Sequence, residues 1–159
     1  MTQKVGTIRD VAQATGLSIA TISRVMNGAK NVSEATRAKV LEASARLNYV
    51  PNAAARALST NRSRTIAAIL PSVDHSIYAK FTSSLEKTMA SRGYSLVIAV
   101  SGGDPEVELT AARKLLGMGA EGVILSGLDH APELIELLQQ RGIPHVARQS
   151  TNLMRSYRP

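Results

Sequence analysis

Thr7-Ile8-Arg9-Asp10-Val11-Ala12-Gln13-Ala14-Thr15-Gly16-Leu17-Ser18-Ile19-Ala20-Thr21-Ile22-Ser23-Arg24-Val25-Met26-Asn27-Gly28 is the stretch on which the fold turns. Thr7 stands three residues ahead of Asp10, a capping-box-like start in which the hydroxyl satisfies free amide hydrogens of a first helical turn. Ile8, Val11 and Ala12 then share one face, and Gly16 supplies a left-handed stop. Ser18 caps a second helix whose apolar residues Ile22, Val25 and Met26 recur at i, i+3 and i+4 until Asn27-Gly28 ends it. Two helices joined by a tight glycine turn make a helix-turn-helix unit, in which the second helix enters the major groove with its first residues at the base edges. Ile19, Ala20, Ser23, Arg24 and Asn27 lie on the side away from the packing face. An exposed Ile19 suits a thymine methyl, and the planar donor fork of Arg24 matches guanine O6 and N7. The plainer alternative has Ile19 stapling the helix start and Arg24 touching only phosphate.

Working outward, Ser33 opens a third helix expected to turn Val40, Leu41 and Leu47 inward and to end near Asn48, because Pro51 disfavours helical geometry just before it. The Ala-rich run from Asn52 to Ser59 also reads as helix, but about eight residues fall below the ~12–15 at which an isolated helix is even marginal in water. It needs a partner to fold. Leu58 near its end has no evident core to join, which suits folding on DNA and wedging between bases; the alternative is a linker helix packed on its own domain. Thr60-Asn61-Arg62-Ser63-Arg64 is polar and aperiodic and marks a boundary.

Beyond Thr65 the pattern changes. Strands are expected at Ile66 to Leu70, Ser95 to Val100, Gly122 to Leu125 and Pro144 to Ala147, alternating with helices at Tyr78 to Ser91, Pro105 to Met118 and Ala131 to Gln140. That alternation predicts an α/β doubly wound half-domain, a parallel sheet covered on both faces. Its ligand crevice belongs at the strand C-terminal ends, where Ser72, Asp74, Ser101, Gly102, Asp104, Ser126 and Asp129 fall. The last twelve residues, Arg148 to Pro159, show neither helical nor strand period.

Composition agrees with a folded two-part chain. The 159 residues are 44% hydrophobic and 19% charged with mean hydropathy −0.02, enough apolar content for a core and against bulk disorder. Cys is absent, which removes disulfides, thiolate nucleophiles and cysteine metal sites and favours an intracellular protein. No stretch has the apolar length of a membrane span and Met1 to Thr7 has no apolar run behind it, so neither membrane insertion nor export is expected. The charge is concentrated: through Arg64 ten Lys and Arg face three acids, which alone gives +7, while nine of each sign follow. A basic first third joined to a neutral remainder points to a polyanion-binding module.

Signals for catalysis fail on context. Gly117-Met118-Gly119-Ala120-Glu121-Gly122 is literally GxGxxG, yet here the glycines end a helix and lead into a strand, the reverse of a pyrophosphate-binding turn. His75, His130 and His145 lack metal-ligand spacing and read as loop or surface residues. Glu106 and Glu108 suit the positive end of a helix better than paired-carboxylate chemistry. No catalytic residue, metal site or cofactor is expected. The rival reading is a small-molecule-binding α/β protein or enzyme carrying a helical N-terminal appendage.

The residues also carry a family resemblance. Thr7 to Ala12, Gly16-Leu17-Ser18 and Ala20 to Gly28, then Val32 to Arg37, Leu47 to Asn52 and Ala55 to Leu58, resemble the DNA-binding headpiece of the LacI family of bacterial repressors. The resemblance implies a cytoplasmic, nucleoid-associated dimeric transcription regulator, probed by double-stranded operator DNA at its headpiece and by a small effector, a sugar or nucleobase, at a periplasmic-binding-protein-like core. By position, Ile19, Ala20 and Arg24 match base-reading residues, Thr21 and Ser23 lie beside them, and Leu58 matches a minor-groove leucine. The implied DNA-binding set is Thr7, Ser18, Ile19, Ala20, Thr21, Ser23, Arg24, Asn27, Ala55 and Leu58. The implied effector set is Ser72, Asp74, Ser101, Asp104, Ser126 and Asp129. The expected division is a headpiece at 1–50, hinge helix and linker at 51–64, partial core at 65–147 and an off-pattern tail at 148–159. The resemblance ends after Ala147 and a second lobe is expected to be missing, so the expectation is a truncated core with a weakened homodimer and no effector response.

Overall fold

The computed structural model describes residues 6–127 and 129–149. Three helices open the chain: α1 (Ile8–Thr15), α2 (Ile19–Met26) and α3 (Glu34–Arg46). Their starts are set by side chains. Thr7 and Asp10 close a reciprocal capping box, and Ser18 and Ser33 accept from the amides of Thr21 and Thr36. Gly16 ends α1 at φ 67°, a conformation that an L side chain resists. The core of this unit is Val11, Ile22, Val25, Val40 and Ala43, flanked by Ile8, Ala12, Leu17, Met26, Val32, Leu47 and Tyr49. Arg37 donates to the Ala29 carbonyl at 2.6 Å and so ties the α2–α3 loop to α3.

Leu41 does not turn inward as expected; it is 50% exposed while Val40 and Ala43 are buried. At 100° per residue, positions 43, 47, 40 and 44 span an inward arc of about 100°, and Leu41 falls about 60° beyond its edge, toward solvent. The helix stops at Arg46, and Asn48 takes φ 48° after it.

Helix α4 (Ala53–Thr60) follows, with no buried residue. The chain divides into two compact units within it, after Arg56. The second unit holds β1 (Thr65–Leu70), α5 (Ser76–Ser91), β2 (Ser95–Val100), α6 (Pro105–Gly117), β3 (Gly122–Gly127), α7 (Pro132–Gln140) and β4 (His145–Gln149). The strands form a parallel sheet in the order β2-β1-β3-β4, with Ile69 level with Ala99 on one side and Leu125 on the other. Ala67, Ile69, Val123 and Leu125 pack beneath Leu109, Ala112, Leu115 and Leu116 of α6 and Leu134 and Leu138 of α7.

The opposite face is covered less completely than expected. Helix α5 lies on β2 without burying any residue fully, and Ile98, Val100 and Val146 remain exposed on that side. Strand β4 also outruns its expected end at Ala147. Its ladder continues through Ser126↔Arg148 and Gly127↔Gln149, so backbone pairing extends a strand that side-chain alternation does not announce. Residues 150–159 of the off-pattern tail lie outside the described residues.

These placements set a stability contrast. Ile22→Ala, at a fully buried site, is expected to cost about 2–5 kcal/mol, whereas Leu41→Ala should stay within about 0.5 kcal/mol. Urea unfolding followed on the headpiece signal checks it; equal losses would place Leu41 in the core after all.

Candidate nucleic-acid interface

The cap of α2 decides which side chains its first turn can offer. Ser18 Oγ accepts the Thr21 amide at 3.2 Å and lies 2.9 Å from Thr21 Oγ1, so both hydroxyls serve the helix start. Thr7 is engaged in the same way, its hydroxyl 2.7 Å from Asp10 Oδ2. Ile19, 46% exposed, and the exposed Ala20, Arg24 and Asn27 form the outer stripe with the half-buried Ser23. Asn27 Nδ2 donates to Ser23 Oγ at 3.3 Å, one turn back, which orients the amide along the helix. The structure therefore brings Ile19, Ala20, Ser23, Arg24 and Asn27 onto one face and assigns the hydroxyls of Thr7, Ser18 and Thr21 to the helix ends behind it.

Asn52 opens α4: its Oδ1 accepts the amides of Ala54 at 2.9 Å and Ala55 at 3.2 Å. Ala55 is exposed, and Leu58 is 89% exposed. At the other end the chain is fastened to the sheet. Arg62 donates to the Tyr94 hydroxyl at 2.7 Å and pairs with Glu121 Oε2 at 3.5 Å. The Arg64 amide donates to Glu121 Oε1 at 2.9 Å, and Ser63 Oγ donates to the Gly119 carbonyl. The Arg64 amide does most to hold the Glu121 carboxyl below its ordinary value; partial burial opposes this, and the Arg62 charge and the Ser63 amide lower it further. The sequence reading passed over Glu121 because it saw that residue only inside a spurious GxGxxG.

The candidate effector residues gather at the C-terminal edge of the sheet. The chain runs from β1 to β2 and then crosses back to β3, and the crevice of such a sheet lies where the order reverses. Ser72 Oγ donates to Asp74 Oδ2 at 3.1 Å just past β1. Ser126, buried, ends the inner part of β3. Asp129 follows as an exposed residue. Two others serve the fold: buried Ser101 lies 3.4 Å from the Leu70 carbonyl and accepts the Gly103 amide, and Asp104 caps α6 through the Glu106 amide at 2.8 Å.

His130 lies in a loop, as expected, between β3 and α7, but its side chain is largely buried rather than at the surface. Its Nδ1 lies 2.9 Å from Glu108 Oε2, and the two side chains are 10% and 4% exposed. Glu108 shares the inward stripe of α6 with Leu109, Ala112, Leu115 and Leu116, so an acid in an apolar row was the available signal. Among the described residues no group of three or more His, Asp or Glu is placed to hold a metal ion, and no helix is long and apolar enough to cross a membrane.

Comparison with known proteins gives two family matches. Residues 7–52 match the bacterial regulatory proteins of the lacI family, and residues 63–154 match the periplasmic binding proteins and sugar binding domain of the LacI family, running past Ala147. Catabolite control protein A of Staphylococcus epidermidis is 39% identical over 140 residues, covering 88% of this chain and 43% of that protein. That of Priestia megaterium is 35% identical, with 88% and 42% covered. Among solved structures, a LacI family transcriptional regulator from Silicibacter pomeroyi superposes with TM-score 0.76 at 36% identity, covering 89% of this chain and 43% of its own. The lac repressor dimer bound to operator and the anti-inducer ONPF gives TM-score 0.76 at 29% identity, covering 91% and 44%. The chain spans less than half the length of the curated relatives it matches.

Acid titration tests the fastening of the linker. Because the folded Glu121 carboxyl is held below its unfolded value of about 4.3, its stabilisation is fully present above that pH and is lost as pH falls through the folded value. The stability difference between the parent and Glu121→Gln should therefore be constant from neutral pH to about 5 and shrink below about 4.5. A difference that does not change down to the acid transition would mean the carboxylate contributes nothing here.

Proposed function

Because this chain belongs to the LacI family of bacterial regulatory proteins, we propose that it is a sequence-specific DNA-binding transcription regulator, acting as a repressor. The carrying observation is the outer stripe of α2. Ile19, Ala20, Ser23, Arg24 and Asn27 face away from a buried apolar core, on the part of the chain that holds the net charge of +7. Long-range attraction to phosphates brings such a surface to duplex DNA, and base-edge contacts then select the site. Ile19 meets a thymine methyl, Arg24 takes guanine O6 and N7, and Thr7, Ser18 and Thr21 hold the helix ends that aim them. Residues 1–50 are the reading headpiece and 51–64 the hinge, in which Leu58 wedges between base pairs and the small Ala55 leaves room for a second copy of α4 in a homodimer.

The core at 65–147 supplies one wall of an effector site. Ser72, Asp74, Ser101, Asp104, Ser126 and Asp129 give a polar edge suited to a sugar or nucleobase. In this reading the chain works by binding in the cytoplasm, without catalysis or cofactor. The lac repressor relative is a dimer on its operator with an anti-inducer, which is the same combination of partners.

Duplex binding is expected to be strongly salt-dependent. If about five phosphates are neutralised, log K falls against log salt with a slope of roughly −4 to −5. Arg24→Ala should cost about 1–3 kcal/mol on the selected site and relax the preference at one base pair per half-site. Selection from random duplexes, repeated on both proteins over a salt series, measures both quantities. Recovery of no duplex by the parent chain defeats the regulator reading, and an unchanged motif with the Ala variant reduces Arg24 to a phosphate contact.

A further inference from the structure

The residues that fasten the linker occupy one layer at the N-terminal edge of the sheet. Arg64 immediately precedes β1, Tyr94 precedes β2 and Glu121 precedes β3. Register places these strand starts side by side, with Thr65 opposite Ser95 and Ile66 opposite Gly122. The linker is therefore gripped from both flanking strands at once. Ser95 donates its amide to the Arg64 carbonyl at 2.8 Å, and Glu121 donates its own amide to the Thr65 carbonyl at 2.8 Å. The Glu121 carboxylate does the rest, taking the Arg64 amide with one oxygen and the Arg62 guanidinium with the other.

Backbone strain lies within the same five residues. Asn61 and Arg64 both take φ 53°, a left-handed conformation that asparagine adopts readily but that costs Arg64, where it persists because the surroundings over-determine it. At Arg64 the over-determination is visible, since its amide and its carbonyl are both held. Asn61 turns the chain directly after α4, whose last turn is closed by the Arg62 amide on the Ala57 carbonyl at 3.2 Å and by Thr60 Oγ1 on the Arg62 carbonyl at 3.2 Å. Arg62 thus belongs to two structures at once. Its backbone ends the helix, and its side chain is moored to Glu121 and Tyr94.

We propose that Glu121 is the positioning residue of the hinge, fixing through Arg62 and Arg64 the direction in which the chain leaves the sheet for α4 and so the presentation of Leu58. The proposal rests on the regulator reading and names a residue outside any DNA-contacting set. An eight-residue helix with no buried side chain has little stability of its own. Bonds at its two ends therefore weigh heavily in its order. Asn52 supplies them at the start, and the Glu121 layer supplies them at the finish.

The test uses the full chain with the duplex that it selects. Glu121→Ala should keep the parent far-ultraviolet circular dichroism and the parent salt slope on random duplex, because headpiece charges are untouched. It should bind the selected site about tenfold more weakly, lose most of the bend measured by gel phasing, and show faster hydrogen exchange at the Arg64 amide. Arg62→Gln, whose side chain is 60% exposed, should reproduce the loss without risk to the sheet. The deciding measurement is a double-mutant cycle with Leu58→Ala. If Glu121 acts by presenting Leu58, the pair of changes costs no more than Leu58→Ala alone. Additive losses, or a Glu121→Ala variant that bends DNA like the parent, overturn the proposal while leaving the regulator reading intact. A parent chain that selects no site overturns both.

Discussion

A helix of eight residues that buries nothing must be held from outside, and this constraint governs how α4 is built into the chain. Propagation adds one hydrogen bond for each residue fixed, while nucleation fixes three residues for one bond, so a two-turn helix stands or falls with its ends. Asn52 supplies two amide bonds at one end, and the Arg62 backbone with the Glu121 layer supplies closure at the other. What α4 leaves over is Leu58, an aliphatic side chain 89% exposed. Full burial of such a side chain is worth about 1.5–3 kcal/mol, which is the gain that the proposed wedge between base pairs would draw on.

The polar residues divide by the same logic. Hydroxyls and carboxylates next to helix starts are consumed by the four unsatisfied amides there, which leaves fewer groups for recognition than composition suggests. Thr7, Ser18, Ser33 and Asp104 all cap helices in this way. On the proposed reading, recognition falls to side chains that helix ends cannot use, and on α2 these are Ile19, Ala20 and Arg24. Asp74 bonds within its own loop, whereas Ser126 and Asp129 stand at the sheet edge free of any capping duty visible in the helices beside them.

How far this was legible in the sequence follows from the range of each interaction. Caps and apolar periods act within four residues, so Thr7, Gly16, Ser18 and the Ile22–Val25–Met26 face could be read directly, as could the alternation of strands and helices. Leu41 was misread because hydrophobicity alone does not resolve a 100° rotation between neighbours. Arg148 and Gln149 join β4 through ladder bonds to β3, more than twenty residues away in the chain, and no side-chain pattern reports that. The His130–Glu108 pair spans 22 residues and the Arg64–Glu121 bond spans 57. Each partner looks ordinary in its own segment. Only the sheet brings them together, by aligning the ends of parallel strands along common edges.

Those common edges separate two kinds of chemistry. The C-terminal edge carries Ser72, Asp74, Ser126 and Asp129, and the N-terminal edge carries Arg64, Tyr94 and Glu121. Between them run β1 and β3, paired from Ile66↔Gly122 to Ile69↔Leu125 and about 15–20 Å long at strand rise. Ala67, Ile69, Val123 and Leu125 in this span are buried under α6 and α7. This span is close-packed, so the two edges are joined by a dense interior and not by loops. Glu121 directly precedes β3, so the linker is fastened at the end of this strand opposite the polar edge, and the two sites share one strand without sharing a residue.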